Sequence, residues 1–249
     1  MKKQNFLVMI VLLNVCLISQ AAELDAKLNW SGYQKYGFAV NGVVEEVNVD
    51  IGKKVKQGEV LAKLSASPFN YNIKKCQAAL NQFDPSIFDA KLELDQAEEL
   101  FERTVLSEVE LQKIDGRYKI LIEQQNEAKA ECLLQRWQSK LSVLKAKEPA
   151  YVLNSNIVTG TVISDENKSA VFIELVSAKQ ASAVAWLSHK EKLKFNIGND
   201  LKVIVDQQEL PAKVKSIALQ ADAENRYKLV AEFYYTNVVE PGKSIKIKY

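Results

Sequence analysis

The sequence predicts an elongated α+β protein in which a long helical block interrupts a β domain. Three observations predict it. Residues 69–147 contain a single glycine, Gly116, and are rich in Leu, Ala, Glu, Gln and Lys, which is strong helix composition. Residues 37–64 and 151–249 on either side carry Val, Ile and Tyr runs broken by Gly and Pro, the texture of short strands and turns. Inside the helical block the apolar positions step by three and four, the period of one helix face.

Residues 1–21 read as a cleaved signal peptide. Lys2 and Lys3 form a positive start, Phe6 to Ile18 is an apolar run of 13 residues, and Ser19-Gln20-Ala21 offers small residues at a cleavage site. Thirteen helical residues reach about 20 Å, short of the ~30 Å hydrocarbon core, so a permanent span is the weaker reading. Lipidation at Cys16 is disfavoured because Asn14-Val15 precede it, where a small residue is wanted. Removing the segment takes the chain from 33 basic and 31 acidic residues to 31 of each, and discards both methionines and one of three cysteines. A balance this even gives no support for nucleic-acid binding, which usually shows a basic face. The exported chain keeps Cys76 and Cys132 where oxidation is available.

From residue 37 to 64, Val47, Val49 and Ile51 alternate with polar residues between Gly42, Gly52 and Gly58. The helical block then runs through Phe69, Ile73, Cys76, Leu80, Phe83, Ile87, Ala90, Leu94, Ala97 and Phe101 by fours and threes, an a/d coiled-coil seam. A second seam follows through Leu111, Ile114, Tyr118, Leu121, Gln125, Ala128 and Cys132. Between them Thr104 and Val105 weaken the helix, and Ser107 with Glu110 has capping-box spacing. A turn there folds the block into an antiparallel hairpin with arms of about 45–60 Å. Pro85, with Asp84 as a possible N-cap, should kink or interrupt the first arm.

Reflection about residue 104 pairs Ala97 with Leu111, Leu94 with Ile114, Ala90 with Tyr118 and Ile87 with Leu121. The same reflection pairs Cys76 with Cys132. Two readings of that pair stand: a disulfide across the seam, or two small buried hydrophobes. A bridge requires Cα atoms no more than about 7 Å apart.

Several of these pieces resemble a known family. Gly42-Val43-Val44, followed by Gly52-x-x-Val55-x-x-Gly58-x-x-Leu61, resembles half of a lipoyl/biotinyl domain. Ile157, Gly160, Val162 and Ile163 resemble the other half. Phe195-Asn196-Ile197-Gly198, Lys213-Val214-x-x-Ile217 and Val239-Glu240-Pro241-Gly242-Lys243-Ser244-Ile245 are similar to an adaptor β-barrel. In that order they resemble the periplasmic adaptor subunits of bacterial tripartite efflux and secretion systems. These are the membrane fusion proteins of the haemolysin-secretion D-like family. The resemblance implies a split lipoyl-like domain at 37–66 and 150–164, an α-helical hairpin at 68–147 with its tip at 102–107, and a β-barrel at 165–249. It further implies an inner-membrane transporter and an outer-membrane channel as partners, a homo-oligomeric ring, and a periplasmic location peripheral to the inner membrane. Leu100 and Ser107 stand at the spacing of the family's tip leucine and serine, so Leu100, Arg103, Leu106 and Ser107 become the implied channel contact.

The sequence departs from the family pattern in places. The tip arginine expected four residues before the leucine is Gln96, and Arg103 is out of register. Asn156-Ile157 replaces the usual Ala-Pro, and no residues follow Tyr249 for the membrane-proximal domain that many adaptors carry.

Other functions are weaker. An adaptor for type I protein or peptide secretion remains an alternative, although those commonly keep an uncleaved membrane helix. A lipoyl or biotinyl carrier needs an acceptor lysine in Asp-Lys or Met-Lys-Met, and neither occurs. No metal site is expected: the exported chain has no methionine, and its one histidine, His189, reads as part of a polar barrel loop. No enzyme activity and no small-molecule cofactor are expected, since no nucleophile set, paired-carboxylate cleft or phosphate loop is present.

Overall fold

The computed structural model describes residues 22–167 and 170–249, so the proposed signal peptide at 1–21 lies outside the described residues. The chain divides into two compact units. Of the described residues, one comprises those from Ala22 to Asn29, Ala181–Tyr234 and Val239–Tyr249; the other comprises Trp30–Gln180 with Tyr235–Val238. Among the described residues, no helix is long and apolar enough to cross a membrane.

The first unit is a closed six-stranded barrel. Its strands are β1 (Glu23–Trp30), β10 (Gln180–Leu187), β11 (Asp200–Val205), β12 (Gln208–Ile217), β13 (Tyr227–Tyr234) and β14 (Ser244–Lys248), in the order β1-β10-β13-β12-β11-β14. Leu24, Ala26 and Leu28 of β1 point inward while Glu23, Asp25 and Lys27 stay exposed. So narrow a barrel has little interior, and β10 fills its share with Ala181, Ala183 and Ala185, all fully buried.

The expected barrel boundary at 165 changes accordingly. β1 pairs with β14 from Glu23↔Lys248 to Lys27↔Ser244, so the barrel needs residues before position 37 to close. β9 (Ile173–Ser177) belongs instead to the other unit. Sheet membership follows from distant partners, and Ala178-Lys179 is all that separates β9 from β10.

The second unit contains two four-stranded sheets. One runs β2 (Gln34–Tyr36), β9, β7 (Ala150–Ser155), β4 (Lys54–Val55); the other runs β6 (Val143–Lys145), β5 (Val60–Leu64), β3 (Gly42–Val47), β8 (Val162–Ile163). Both contribute to one core, with Phe38, Val44, Val55, Leu61, Leu64, Ile163, Ile173 and Leu175 nearly inaccessible. Gly52, Gly58 and Gly160 sit at φ of 84°, 80° and 88°, the left-handed region that glycine enters without steric cost. Gly42 serves otherwise: a Cβ there would stand 3.0 Å from Leu64 Cδ1, so its smallness lets β3 lie close to β5. Ile51 does not continue the β3 alternation. It is exposed in the turn that Lys53 N closes on Asp50 O.

The helices are inserted between β5 and β6, which are themselves antiparallel neighbours, Lys63 facing Val143. α1 (Ser67–Asn81) and α2 (Phe83–Glu102) form the outgoing arm and α3 (Glu108–Leu141) the return. At about 1.5 Å per residue, α3 is roughly 51 Å long. The return arm ends at Leu141 rather than 147, because Val143–Lys145 joins the sheet. The break between α1 and α2 is one residue, Gln82, whose φ of −67° and ψ of −21° keep the chain helical in direction. It lies just before Pro85, which has no N–H to give. Asp84 is not the N-cap. It sits in the first turn of α2 and accepts from Gln125 Nε2 at 3.0 Å.

In the outgoing arm Phe69, Cys76, Leu94 and Ala97 are buried and Ile73, Leu80, Phe83, Ile87 and Ala90 half-buried, while nearly every other position is exposed. The expected seam is therefore the buried face, save at Phe101. Cys76 and Cys132 form a disulfide, with Cα atoms 5.3 Å apart. It joins α1 to α3 on the sheet side of the Gln82 break.

The bridge spans 56 residues of sequence; on the chain-entropy estimate it contributes about 4 kcal/mol. Reduction, or Cys76→Ser with Cys132→Ser, should lower the unfolding midpoint of this unit and speed amide exchange in α1 more than in α2. Exchange mass spectrometry checks it; equal effects in both helices would mean that the break does not divide the arm.

Candidate interaction site

α2 stops at Glu102 because the next residues adopt a specific C-terminal turn. Thr104 takes φ 61°, its N donates to Phe101 O at 2.9 Å, and Val105 N donates to Leu100 O at 3.0 Å. These are the two hydrogen bonds of a Schellman motif, which usually places Gly at the left-handed position. A β-branched residue there is strained. α3 starts equally firmly. Glu110 N donates to Ser107 Oγ at 3.3 Å, and Ser107 N donates to Glu110 Oε2 at 3.2 Å, completing the expected capping box. Ser107 Oγ also donates to Glu110 Oε2 at 2.7 Å. These bonds hold the Glu110 carboxyl below its usual range.

The four residues implied as a channel contact all lie in or beside this turn. Leu100 is 42% exposed and Arg103, paired with Glu99, is exposed; Ser107 is exposed but committed to the cap. Leu106 departs from expectation, being half-buried where the turn folds back. Phe101 departs in the other sense: seam spacing placed it inside, but it is 40% exposed. With α2 ending at Glu102, it has only the Ser107 turn opposite.

Val105 and Val109, which the seam did not mark, are 72% and 61% exposed. Leu100, Phe101, Val105 and Val109 thus present four large apolar side chains within ten residues, more than the scattered exposure expected of a surface. Their signal in the sequence was valine at turn and off-seam positions, where a purely structural tip would carry polar residues. Around them stand Glu98, Glu99, Glu102, Glu108 and Glu110 against one base, Arg103.

Nothing in this arrangement resembles a reaction centre. Among the described residues, no three His, Cys, Asp or Glu side chains gather as a metal site would require. His189 lies not in a loop but in α4 (His189–Lys192), a single turn capped by Ser188 and Glu191, with its ring 6.1 Å from that of Tyr227.

Solved structures resemble the whole arrangement. The membrane fusion protein Spr0693 of Streptococcus pneumoniae superposes with a TM-score of 0.66 at 18% identity, covering 91% of this chain and 97% of its own. The fold is that of the membrane fusion proteins. MacA of Actinobacillus actinomycetemcomitans matches it with a TM-score of 0.69 at 15% identity, over 91% of this chain and 78% of its own. A MacA–MexA chimera containing the α-hairpin domain of Pseudomonas aeruginosa MexA gives 0.59 at 14% identity, over 91% and 81%. No protein-family model matches the sequence, and neither does any curated protein. At these identities the membrane fusion protein fold is retained while side chains have changed almost everywhere, so the chemistry of the tip has to be read from this chain.

Two substitutions test the turn. Ser107→Ala should cost about 1 kcal/mol by removing the cap, whereas Thr104→Gly should stabilise by about 1 kcal/mol by relieving the left-handed strain. Because Glu110 is held below its ordinary value, its support of the cap is complete above the unfolded pKa. That support is lost as pH falls through the lowered folded one. The gap between thermal melts of parent and Ser107→Ala should accordingly narrow in acid to what the Glu110 N–Ser107 Oγ bond contributes; a constant difference down to full protonation would contradict this account.

Proposed function

We propose that this protein is a periplasmic adaptor of an export system, linking an inner-membrane transporter to an outer-membrane channel. The observation that carries the reading is the exposed apolar cluster at the end of a helical hairpin, on a chain with the membrane fusion protein fold. A hairpin of this length moves a small contact surface far from the sheets that hold it. Its contacts are local, so it needs no large core of its own. The apolar tip would meet the channel, with Leu100, Phe101, Val105 and Val109 as anchors and Arg103 and the glutamates as the polar rim.

Two further parts of the reading have support. The two sheets around one core, with left-handed glycines at 52, 58 and 160, fit a split lipoyl-like domain. Interruption of the β5–β6 hairpin by the helices speaks against a cofactor carrier, since a carrier lysine would need an intact turn there. Exported location rests on the sequence of residues 1–21 and on oxidation of Cys76 and Cys132. A ring of copies is the assembly by which such a hairpin would form a conduit.

A photo-crosslinker at Val109 should capture an outer-membrane protein in intact cells. Val105→Asp should abolish both that crosslink and export while leaving the circular dichroism spectrum and the disulfide unchanged. Export that survives Val105→Asp and Leu100→Asp together would sink the channel-contact reading.

A further inference from the structure

The barrel has a second exposed apolar cluster, unconnected with the tip. One rim of the barrel gathers the start of β1, the C-terminal Tyr249 and two connecting segments. Ala22 O accepts from Tyr249 N at 3.1 Å, and Lys202 pairs with Lys248, so β1 begins, β14 ends and β11 begins on this rim. The loop 188–199 leads into β11, and the loop 218–226 leaves β12 on the same side. Lys192 Nζ donates to Leu219 O at 3.4 Å and joins the two loops.

Three aliphatic side chains project from these loops: Leu193 is 75% exposed, Ile197 70% and Leu219 89%. Looseness does not explain them. Phe195, between the first two, is buried, its ring 4.7 Å from that of Tyr249. Asn196 N donates to Asn199 Oδ1 at 2.6 Å, and Asp222 Oδ1 accepts from Glu224 N and Arg226 N at 2.9 Å. Both loops are held by their own hydrogen bonds, with the aliphatic groups outside.

The surroundings have a definite order. Trp186, Tyr227 and Tyr249 lie at this rim, Arg226 being 5.8 Å from the Trp186 ring and Lys192 3.9 Å from that of Tyr227. Lys190, Lys192 and Lys194 add three cations beside Leu193. Among the described residues none of the three is in an ion pair; of the acids nearby, Asp222 and Glu224 share Arg226 at 3.0 and 2.7 Å, and Glu191 accepts from Ser188 in the α4 cap. Aliphatic groups outermost, aromatic rings behind them and unpaired lysines around them match the layers of a lipid interface: acyl chains, headgroup boundary and anionic phosphates.

We infer that this rim of the barrel docks on an anionic lipid bilayer, inserting Leu193, Ile197 and Leu219 while Lys190, Lys192 and Lys194 engage phosphate headgroups. On the adaptor reading the bilayer is the transporter's own membrane; the lipid contact itself requires no transporter.

Vesicle sedimentation of the full chain tests it, using phosphatidylcholine alone and phosphatidylcholine with phosphatidylglycerol. Parent and variants share the same leader, so differences between them belong to the barrel. Leu193→Ser, Ile197→Ser and Leu219→Ser together should lower partition by about 100-fold. Each Lys→Gln change at 190, 192 or 194 should lower binding to phosphatidylglycerol vesicles by about fivefold and leave phosphatidylcholine binding alone. Brominated phosphatidylglycerol should quench fluorescence in the parent and not in Trp186→Phe. Partition of the triple serine variant equal to the parent's overturns the inference. So does its loss of crosslinks to a membrane protein with vesicle binding intact, which would assign the rim to a protein partner. Neither result touches the channel contact, which is read at Val105 and Val109 in cells.

Discussion

Leu64 N donates to Ser142 O at 2.9 Å, and the strands on either side of that bond, β5 and β6, pair from Val60↔Lys145 to Lys63↔Val143. Everything between must leave one sheet position and return to its neighbour. Helices that begin and end at one place can only run out and back, so their contacts must mirror about a point near the middle of the insertion. Residue 104 is that point. The disulfide joins residues equidistant from it, and Arg117–Glu93 at 3.3 Å and Gln125–Asp84 at 3.0 Å follow nearly the same reflection. The ladder bond and the mirror are one constraint expressed at two scales.

That constraint explains which parts of the molecule were legible. The seam could be read because helix periodicity is local, and the hairpin register because antiparallel helices convert a local pattern into a long-range pairing. Cys76 and Cys132 follow from the same step. The barrel gave no comparable handle. β1 alternates cleanly, Leu24, Ala26 and Leu28 inward, but its partner β14 lies at the far end of the chain, where Lys246, 223 positions away, donates to Glu23. Nothing local to residues 23–30 names that partner. The same holds for β9 and β10, adjacent in sequence and members of different sheets. The Ser188-x-x-Glu191 cap, by contrast, carries the same local signature as Ser107-x-x-Glu110, because a capping box is closed within four residues.

At the tip, legibility failed for a different reason. Heptad spacing describes what a helix buries only while a partner helix lies opposite. Phe101 keeps the spacing but faces a turn, so it is exposed. Thr104 occupies a position where glycine normally announces the end of a helix, and the Schellman bonds form nonetheless. A strained, apolar, well-capped turn is less stable than a polar one with glycine at 104 would be. Such departures from local consistency are where function is expected to reside, which is why the tip rather than the grooves along the helices carries the functional reading.

Near-zero net charge conceals a division of labour in surface chemistry. The hairpin tip and the barrel rim each present a cluster of exposed aliphatic side chains, and these two clusters stand in opposite electrostatic surroundings. Glutamates at 98, 99, 102, 108 and 110 would repel an anionic bilayer from the tip, so its valines and leucine cannot economically be a lipid anchor. Lysines at 190, 192 and 194 would draw the barrel rim to the same bilayer, while Asp222 and Glu224 share Arg226 and Glu191 is held in the Ser188 cap. Apolar exposure alone cannot tell a protein partner from a membrane; the sign of the charge beside it can. On the proposed reading, charges distributed in this way and not merely balanced would steer each cluster away from the other's partner, so that one chain could hold two docking surfaces without confusing them.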